Sequence, residues 1–456
     1  MSKRKKWALM VGLAIAGIIF FVIKSCLPTN QVIDDFEEKR FCTRKISEQD
    51  RIWVISDIHY LSDSLFNQEQ AFQSLLRQAD GKDIHYQKQR LESLIWQIQE
   101  KRPQLLIISG DLTFNGERQS AIDLSEYLRR IEALGTQVYV IPGNHDISNG
   151  WSASYLGNQT KPVPQLLPEE FAEIFHNMGY SEACFKDKFS LSYAVRPFKD
   201  VLLVMIDTNH YTDKESRREP EIQGSVGPKT YEWLEEVLAY GERNQLLVIP
   251  VLHHNTLKHH PVYFQGFVLN QEEKMQQLLA RYHVKLTLSG HSHAQNIASK
   301  TIGDQKMWDI VTGCFASLSN SIGEIQITQK EINYQRQELM VEEWAEERSE
   351  KEEELINYRE YSQSLFFKDR INMAYEEFYD EKWFDGETAY TIANFVSRVY
   401  TLYFDGKAIS DEISQEETES EPGYQLLKMQ TNSRVLEAIE AILEMDQESQ
   451  EVSVLR

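Results

Sequence analysis

Residues 51–59 read RIWVISDIH, a run of apolar residues that breaks without a spacer into an Asp-x-His pair. Four consecutive apolar side chains, Ile52 to Ile55, make a strand buried on both faces, as in a sheet covered on either side. The same design recurs in QLLIISGD at 104–111 and in QVYVIPGNHD at 137–146. Between these runs, apolar residues at three- and four-residue spacing predict helices over Tyr86–Lys101 and Glu117–Leu134. The order is βαβαβ. It continues through VLLVMI at Val201, a helix over Lys229–Arg243, QLLVIPVL at Gln245–Leu252, a helix over Gln271–Tyr282 and VKLTLSG at Val284–Gly290. An α/β fold follows, and in such layered folds chemistry collects in the loops that leave strand C-termini.

At 456 residues the chain exceeds what one hydrophobic core organises, so two folded units are expected. EIQITQKEINYQRQEL at 324–339 alternates like an antiparallel pair of edge strands. Beyond it the period becomes helical, with aromatic and aliphatic residues three and four apart over Leu355–Tyr379 and Thr388–Phe404. Those aromatics are expected to pack helix against helix rather than to line a cofactor site. The Glu- and Ser-rich run Ser410–Pro422 reads as a mobile loop. Of the net charge of −22, −18 belongs to residues 341–456, which hold 29 acidic and 11 basic residues. So acidic a surface repels polyanions, and no basic groove is visible, so no nucleic-acid polymer is an expected partner. The expected map is a membrane anchor or signal segment over 1–26, a linker over 27–48, an α/β domain over 49–340 and an acidic all-α domain over 341–456.

The chain opens with Lys3, Arg4, Lys5 and Lys6, followed by an apolar stretch from Trp7 to Ile23. As a transmembrane helix that stretch spans roughly 25 Å, enough to cross a bilayer when Lys6 and Lys24 snorkel to its two faces. By the positive-inside rule the basic cluster stays in the cytoplasm and everything after Lys24 lies outside, giving a single-pass protein of the cell membrane. Two rivals share the pattern. A cleaved signal peptide would need a small-residue site after Ile23, and none follows. A lipoprotein acylated at Cys26 would find suitable Ile23 and Ser25, but Lys24 stands where a small or apolar residue belongs. The other cysteines, Cys42, Cys184 and Cys314, form no CxxC pair, and Cys314 in IVTGCF reads as a buried small side chain.

Five clusters stand directly after predicted strands: Asp57 with His59, Gly110-Asp111, Gly143-Asn144-His145-Asp146, His253-His254 and Gly290-His291-Ser292-His293. Each alone is weak, because a buried Asp or His usually serves a hydrogen bond within the fold. Together they hold six of the twelve histidines and supply carboxylate, imidazole and amide donors for two metal ions. At i and i+2 on a chain leaving a strand, Asp57 and His59, and likewise His291 and His293, project to one side. Two ions roughly 3.5–4 Å apart need a carboxylate between them, for which Asp111 is the candidate, and they turn a water between them into hydroxide. This mixture of donors suits Mn or Fe, with Zn or Co as alternatives, rather than calcium. The pair His259-His260 competes with His253-His254 for the fourth position. The predicted strand ends at His253, which makes His253 the expected ligand.

The series DxH, GD, GNHD, H and GHxH resembles the calcineurin-like metallophosphoesterase pattern over roughly residues 50–330. That resemblance implies a four-layer αββα sandwich with one metal held by Asp57, His59, Asp111 and His293 and a second by Asp111, Asn144, His253 and His291. His145 would then meet the substrate phosphate without binding metal, and Asp146 is expected to close the turn. The family often has proline after its histidine pair; here Asn255 follows His254, whereas Pro261 follows His260, which leaves the fourth position open. SGDLTFNGE at 109–117, GNHDISNGW at 143–151, LHHN at 252–255 and the acidic helical tail are similar to extracytoplasmic cyclic-nucleotide phosphodiesterases of Gram-positive bacteria. The implied activity is hydrolysis of a small phosphodiester, a cyclic nucleotide, outside the cytoplasmic membrane by attack of a metal-bridging hydroxide. A phosphomonoesterase, or a phosphodiesterase acting on lipid or wall polymer, would use the same ligands. A sensor with a decayed metal site is the non-enzymatic alternative, which the intact clusters disfavour. Protease added to intact, wall-stripped cells is expected to degrade the body of the protein, and protection until lysis would refute the outward topology.

Overall fold

The computed structural model describes residues 44–318, 320–380, 385–429, 433–445 and 449–456. The expected membrane anchor, most of the linker, Cys26 and Cys42 lie outside the described residues. Among the described residues no helix is long and apolar enough to cross a membrane, and these residues belong to one compact unit.

In chain order the strands are β1 (Ile52–Ile55), β2 (Leu105–Ile108), β3 (Gln137–Val140), β4 (Ala153–Ser154), β5 (Lys161–Pro162), β6 (Phe185–Lys186), β7 (Tyr193–Phe198) and β8 (Val201–Ile206). They continue as β9 (Leu247–Leu252), β10 (Leu286–Ser289), β11 (Asn296–Ile302), β12 (Gln305–Val311), β13 (Ser321–Ile327), β14 (Glu331–Glu338) and β15 (Glu451–Leu455). A six-stranded sheet runs β15-β14-β13-β1-β2-β3, a seven-stranded sheet runs β11-β12-β10-β9-β8-β7-β6, and β4 pairs with β5. The βαβαβ start gives parallel pairs, with Ile52 opposite Leu105 and Leu105 opposite Gln137. The second sheet is parallel from β8 through β9 and β10 to β12. The helices between these strands, Gln87–Lys101, Arg118–Ala133, Pro228–Arg243 and Glu272–Arg281, fall within one residue of their expected bounds.

Successive side chains along a strand point to opposite faces, and in β1, β2, β8 and β10 both faces are buried. Val201, Leu203 and Met205 of β8 join Ile249, Val251, Leu286 and Leu288 and the first sheet's Ile52 and Val54 in one core linking the two sheets. Leu202, on the alternate face, approaches the helix Pro228–Arg243, where a Cβ added at Gly241 would meet its side chain at 3.5 Å. Each such aliphatic side chain contributes about 1.5–3 kcal/mol by leaving water, which makes this double-sided burial the main stabilising force of the scaffold.

The strands read at 324–339 form the antiparallel hairpin β13–β14, with Ile325 opposite Tyr334, but neither strand is an edge. β13 also pairs with β1, and β14 is covered by β15, which comes from the segment expected to be all helix. β15 shows little pattern because Val454 alone of its five residues is buried. Strands β7, β11 and β12 also escaped the sequence reading, since Pro197, Lys300 and Lys306 interrupt their alternation. Ser410–Pro422, expected to be a mobile loop, contains the helix Gln415–Ser420, closed at its start by a reciprocal Ser414–Glu417 capping box. In the tail, Phe378, Ile392, Phe395 and Val396 pack together as helix-core aromatics and aliphatics. Cys184 and Cys314 are free, and Cys314 is fully buried.

A buried ion pair of the α/β part engages the tail through Tyr358. Arg90 donates to Asp83 at 2.8 Å and Tyr358 donates to the same carboxylate at 2.8 Å, with the Arg90 and Asp83 side chains 2% and 1% exposed. Asp83→Ala strands the Arg90 charge and is expected to cost about 3–5 kcal/mol, read as a lower urea midpoint. An unchanged midpoint would show that this pair does not hold the tail in place.

Candidate metal centre

Each motif loop begins within a few residues of a strand end: Asp57 after β1, Asp111 after β2, Asn144 after β3, His253 after β9 and His291 after β10. The backbone there departs from strand geometry. Asp57, His59, Asp111, His291 and His293 have φ of 57°, 45°, 50°, 69° and 60°, all left-handed. The i and i+2 pairs therefore face inward because both members sit in the left-handed region, which corrects the expectation of strand-like projection. Such conformations cost non-glycine residues of order 1–3 kcal/mol each and persist only where the surroundings over-determine them. Two glycines make room: a Cβ on Gly143 would run into the Asp111 carboxylate, and one on Gly110, itself at φ 106°, would run into the His253 ring.

Asp57, His59, Asp111 and His293 bring one donor atom each within 4.8 Å of one another, and so do Asp111, His253 and His291. His59 Nε2 lies 3.2 Å from His293 Nε2 and 3.6 Å from Asp111 Oδ2, and His293 Nε2 lies 3.5 Å from Asp57 Oδ1. His253 Nε2 lies 3.5 Å from Asp111 Oδ2 and 3.1 Å from Asn144 Oδ1. Donors held about 2.0–2.2 Å from a common ion stand roughly 2.8–3.6 Å from each other, so these separations are of the size that would fit a shared ion. Asp111 belongs to both groups, as a bridging carboxylate must.

Partners on the far side of the rings set which nitrogen is bare. His253 donates from Nδ1 to the Ser109 carbonyl at 2.9 Å, leaving Nε2 toward Asp111. His291 donates from Nε2 to the carbonyls of Ile222 at 2.9 Å and Gly266 at 3.1 Å, which leaves Nδ1 as its donor atom. This is the way histidine ligands are oriented and their tautomers fixed. Burial pushes the Asp111 carboxyl up, but the imidazoles around it, His253 first, outweigh burial and hold it well below the usual range. Burial pulls His291 down to about 3, whereas at His253 the Asp111 charge overrides burial and raises the ring to about 9. Asp111 thus draws positive charge to its side, the position a cation fits.

Of the four histidines competing for the fourth position, His253 alone joins a donor group. Both nitrogens of His254 are engaged, Nδ1 with the Thr208 hydroxyl at 2.7 Å and Nε2 with the Ile222 carbonyl at 3.1 Å. His259 faces Asn296 at 2.8 Å and Asp309 at 3.3 Å, and His260 Nδ1 accepts the Val262 and Tyr263 N–H groups at 3.0 Å each. His145 stands beside the groups: its N–H donates to Asp111 at 2.9 Å, and its ring centroid is 5.1 Å from that of His59. Its Nδ1 donates to Asn115 Oδ1 at 2.8 Å and to the Phe114 carbonyl at 3.1 Å. Asp146 takes the N–H groups of Leu112, Thr113 and Gly143 at 3.1, 2.8 and 2.8 Å, which closes the turn. Asn115 was missed from the sequence as a functional residue, although it stands inside the quoted SGDLTFNGE stretch.

A paired-sheet α/β fold with two donor groups sharing one carboxylate at its strand ends is that of a dinuclear metal-dependent hydrolase. The chain belongs to the calcineurin-like phosphoesterase family, whose model matches residues 50–295, slightly more than half of it. Residues 340–449 match a second family model, the C-terminal domain of cyclic nucleotide phosphodiesterase. Among solved structures it is similar to a dimetal phosphatase from Danio rerio, with 13% identity, a TM-score of 0.44, and 63% of this chain and 95% of that chain covered. A purple acid phosphatase from yellow lupin (Lupinus luteus) seeds is also similar, with 13% identity, a TM-score of 0.39, and 63% and 51% covered. No curated protein matches the sequence.

Metal analysis of manganese-loaded protein distinguishes the adjacent histidines. His253→Ala is expected to weaken one ion at least 10–100-fold, and His254→Ala to keep both ions, because its nitrogens serve the fold. The reverse pattern would exchange their roles.

Proposed function

We propose that the protein hydrolyses cyclic nucleotides outside the cytoplasmic membrane, with two ions, Mn or Fe, held by Asp57, His59, Asp111 and His293 and by Asp111, Asn144, His253 and His291. The observation that carries this reading is the double membership of Asp111 in the two donor groups. When bound, two such ions acidify a water between them and withdraw charge from the phosphoryl oxygens. The chain's own residues supply the rest. With Nδ1 donating to Asn115 and Phe114, His145 keeps Nε2 for the substrate, and the two acceptors stabilise the ring when it carries a second proton. His145 lines a cleft of 790 Å³ with Phe114, Trp151 and Tyr155, within the size range of small-molecule sites.

A nucleotide substrate is supported by the likeness of the tail to the cyclic nucleotide phosphodiesterase C-terminal domain and by a second cavity. Phe267, whose ring is 5.2 Å from His291, lines that 280 Å³ space with Tyr263, Phe264, Tyr400, Tyr403 and Phe404. Aromatic walls of this kind suit a nucleobase, whose stacking is worth about 1–3 kcal/mol. The extracytoplasmic placement rests on the basic and apolar N-terminal sequence.

A turnover panel with manganese tests the reading. Cyclic nucleotides are expected to be hydrolysed faster than phosphomonoesters, and a preference for monoesters would overturn it. A ribose alkoxide needs a general acid, worth about 10²–10⁴-fold, whereas nitrophenolate leaves with little help. His145→Ala is therefore expected to slow a cyclic nucleotide far more than a nitrophenyl diester with both metals retained; equal losses would leave His145 only the task of holding the phosphate.

A further inference from the structure

Lys82 belongs to none of the motif clusters, yet it lines the same cleft as His145. Its side chain keeps 10% exposure, and among the described residues its ammonium has one charged neighbour, Asp80 at 3.8 Å, and no hydrogen bond. An ammonium carries three donors, and one on a cleft wall with no acceptor from the protein still needs partners for them. Asp80 does not meet that need, because its carboxylate is 45% exposed and is bound by Arg370. Arg370 comes from the tail helix Tyr358–Asp380 and is itself held by Asp369 at 2.9 Å and by the Phe366 ring at 5.1 Å.

We propose that Lys82 binds a phosphoryl oxygen of the substrate and that Arg370, by taking Asp80, keeps the Lys82 ammonium free to do so. This rests on the phosphodiesterase reading above and adds to it a cation supplied by the protein and a direct task for the tail. The interaction is ionic, and no bond forms or breaks at Lys82. It also accounts for anion binding by a chain of net charge −22: the attraction is local, set by the ions and by one lysine whose nearest carboxylate is already engaged.

Inorganic phosphate is the probe, used with the full-length, manganese-loaded protein. Its binding is measured by calorimetry and as inhibition of nitrophenyl diester turnover. Lys82→Met is expected to raise the phosphate dissociation constant and the KM at least tenfold while two metals remain bound, and Lys82→Arg to recover most of the loss. Arg370→Gln is expected to weaken phosphate severalfold as Asp80 turns to Lys82. Adding Asp80→Asn should then restore it, a rescue that lost packing alone would not permit. Unchanged phosphate binding in metal-loaded Lys82→Met overturns the assignment, and failure of Asp80→Asn to rescue overturns the role of Arg370. A wild-type protein that turned over no phosphoester would sink the phosphodiesterase reading instead, while phosphate calorimetry would still decide the role of Lys82.

Discussion

The structure depends on one buried carboxylate shared by two donor groups. Asp111 is 1% exposed and within reach of His59 on one side and His253 on the other. Two divalent ions held there about 4 Å apart would repel by roughly 17 kcal/mol at an effective dielectric near 20, a repulsion that a shared carboxylate such as Asp111 would offset. Parallel pairing of β1 with β2 delivers it: the Asp57 N–H donates to the Gly110 carbonyl at 3.1 Å and the His59 N–H to the Asp111 carbonyl at 2.9 Å, which sets the first two motifs side by side.

That arrangement is bought with strain, and the scaffold is built to bear it. Five donor residues in the left-handed region would relax if the loops were free. Each loop instead leaves a strand whose side chains are wholly buried, and Asp146 binds the Asp111 loop to its own through three N–H groups. The energy released by covering both faces of both sheets is large compared with the strain of a few backbone angles, so the fold dictates the geometry and the ligands comply.

The tail is continuous with this scaffold. β15 closes the first sheet beyond β14, the Gln295 N–H donates to the Phe404 carbonyl at 2.9 Å, and Arg336 pairs with Asp405 at 2.9 Å. Tail residues reach the surroundings of the centre: Tyr400, Tyr403 and Phe404 wall the aromatic cavity, and Arg370 engages Asp80 at the other cleft. Among the described residues the helical region supplies no donor to the metal groups, yet it forms walls of the spaces beside them.

Much of the fold was legible because its signals are local. A short, β-branched apolar run such as RIWVIS, set between helical patterns, favours a buried strand, and four of the connecting helices could be bounded from their periodicity alone. The candidate donors were legible for the same reason, since Asp57, His59, Asp111, His253, His291 and His293, which the fold brings together, stand just behind such runs, as does Asn144. What distance in sequence separates, only the tertiary structure decided. β15 joins a strand more than a hundred residues earlier, and its five residues carry too little burial to announce themselves. His253 and His254 are adjacent and alike in the chain; Thr208 and Ile222, from other segments, occupy both nitrogens of one, while Ser109 takes only Nδ1 of the other and leaves it facing Asp111. Lys82, in an unremarkable Gly-Lys-Asp, acquires its setting from Asp80, from the His145 cleft and from a tail helix nearly three hundred residues away. Residue types and strand ends are properties of a sequence, but tautomer, burial and the partner of a charge belong to the space around an atom, which the chain creates only by folding.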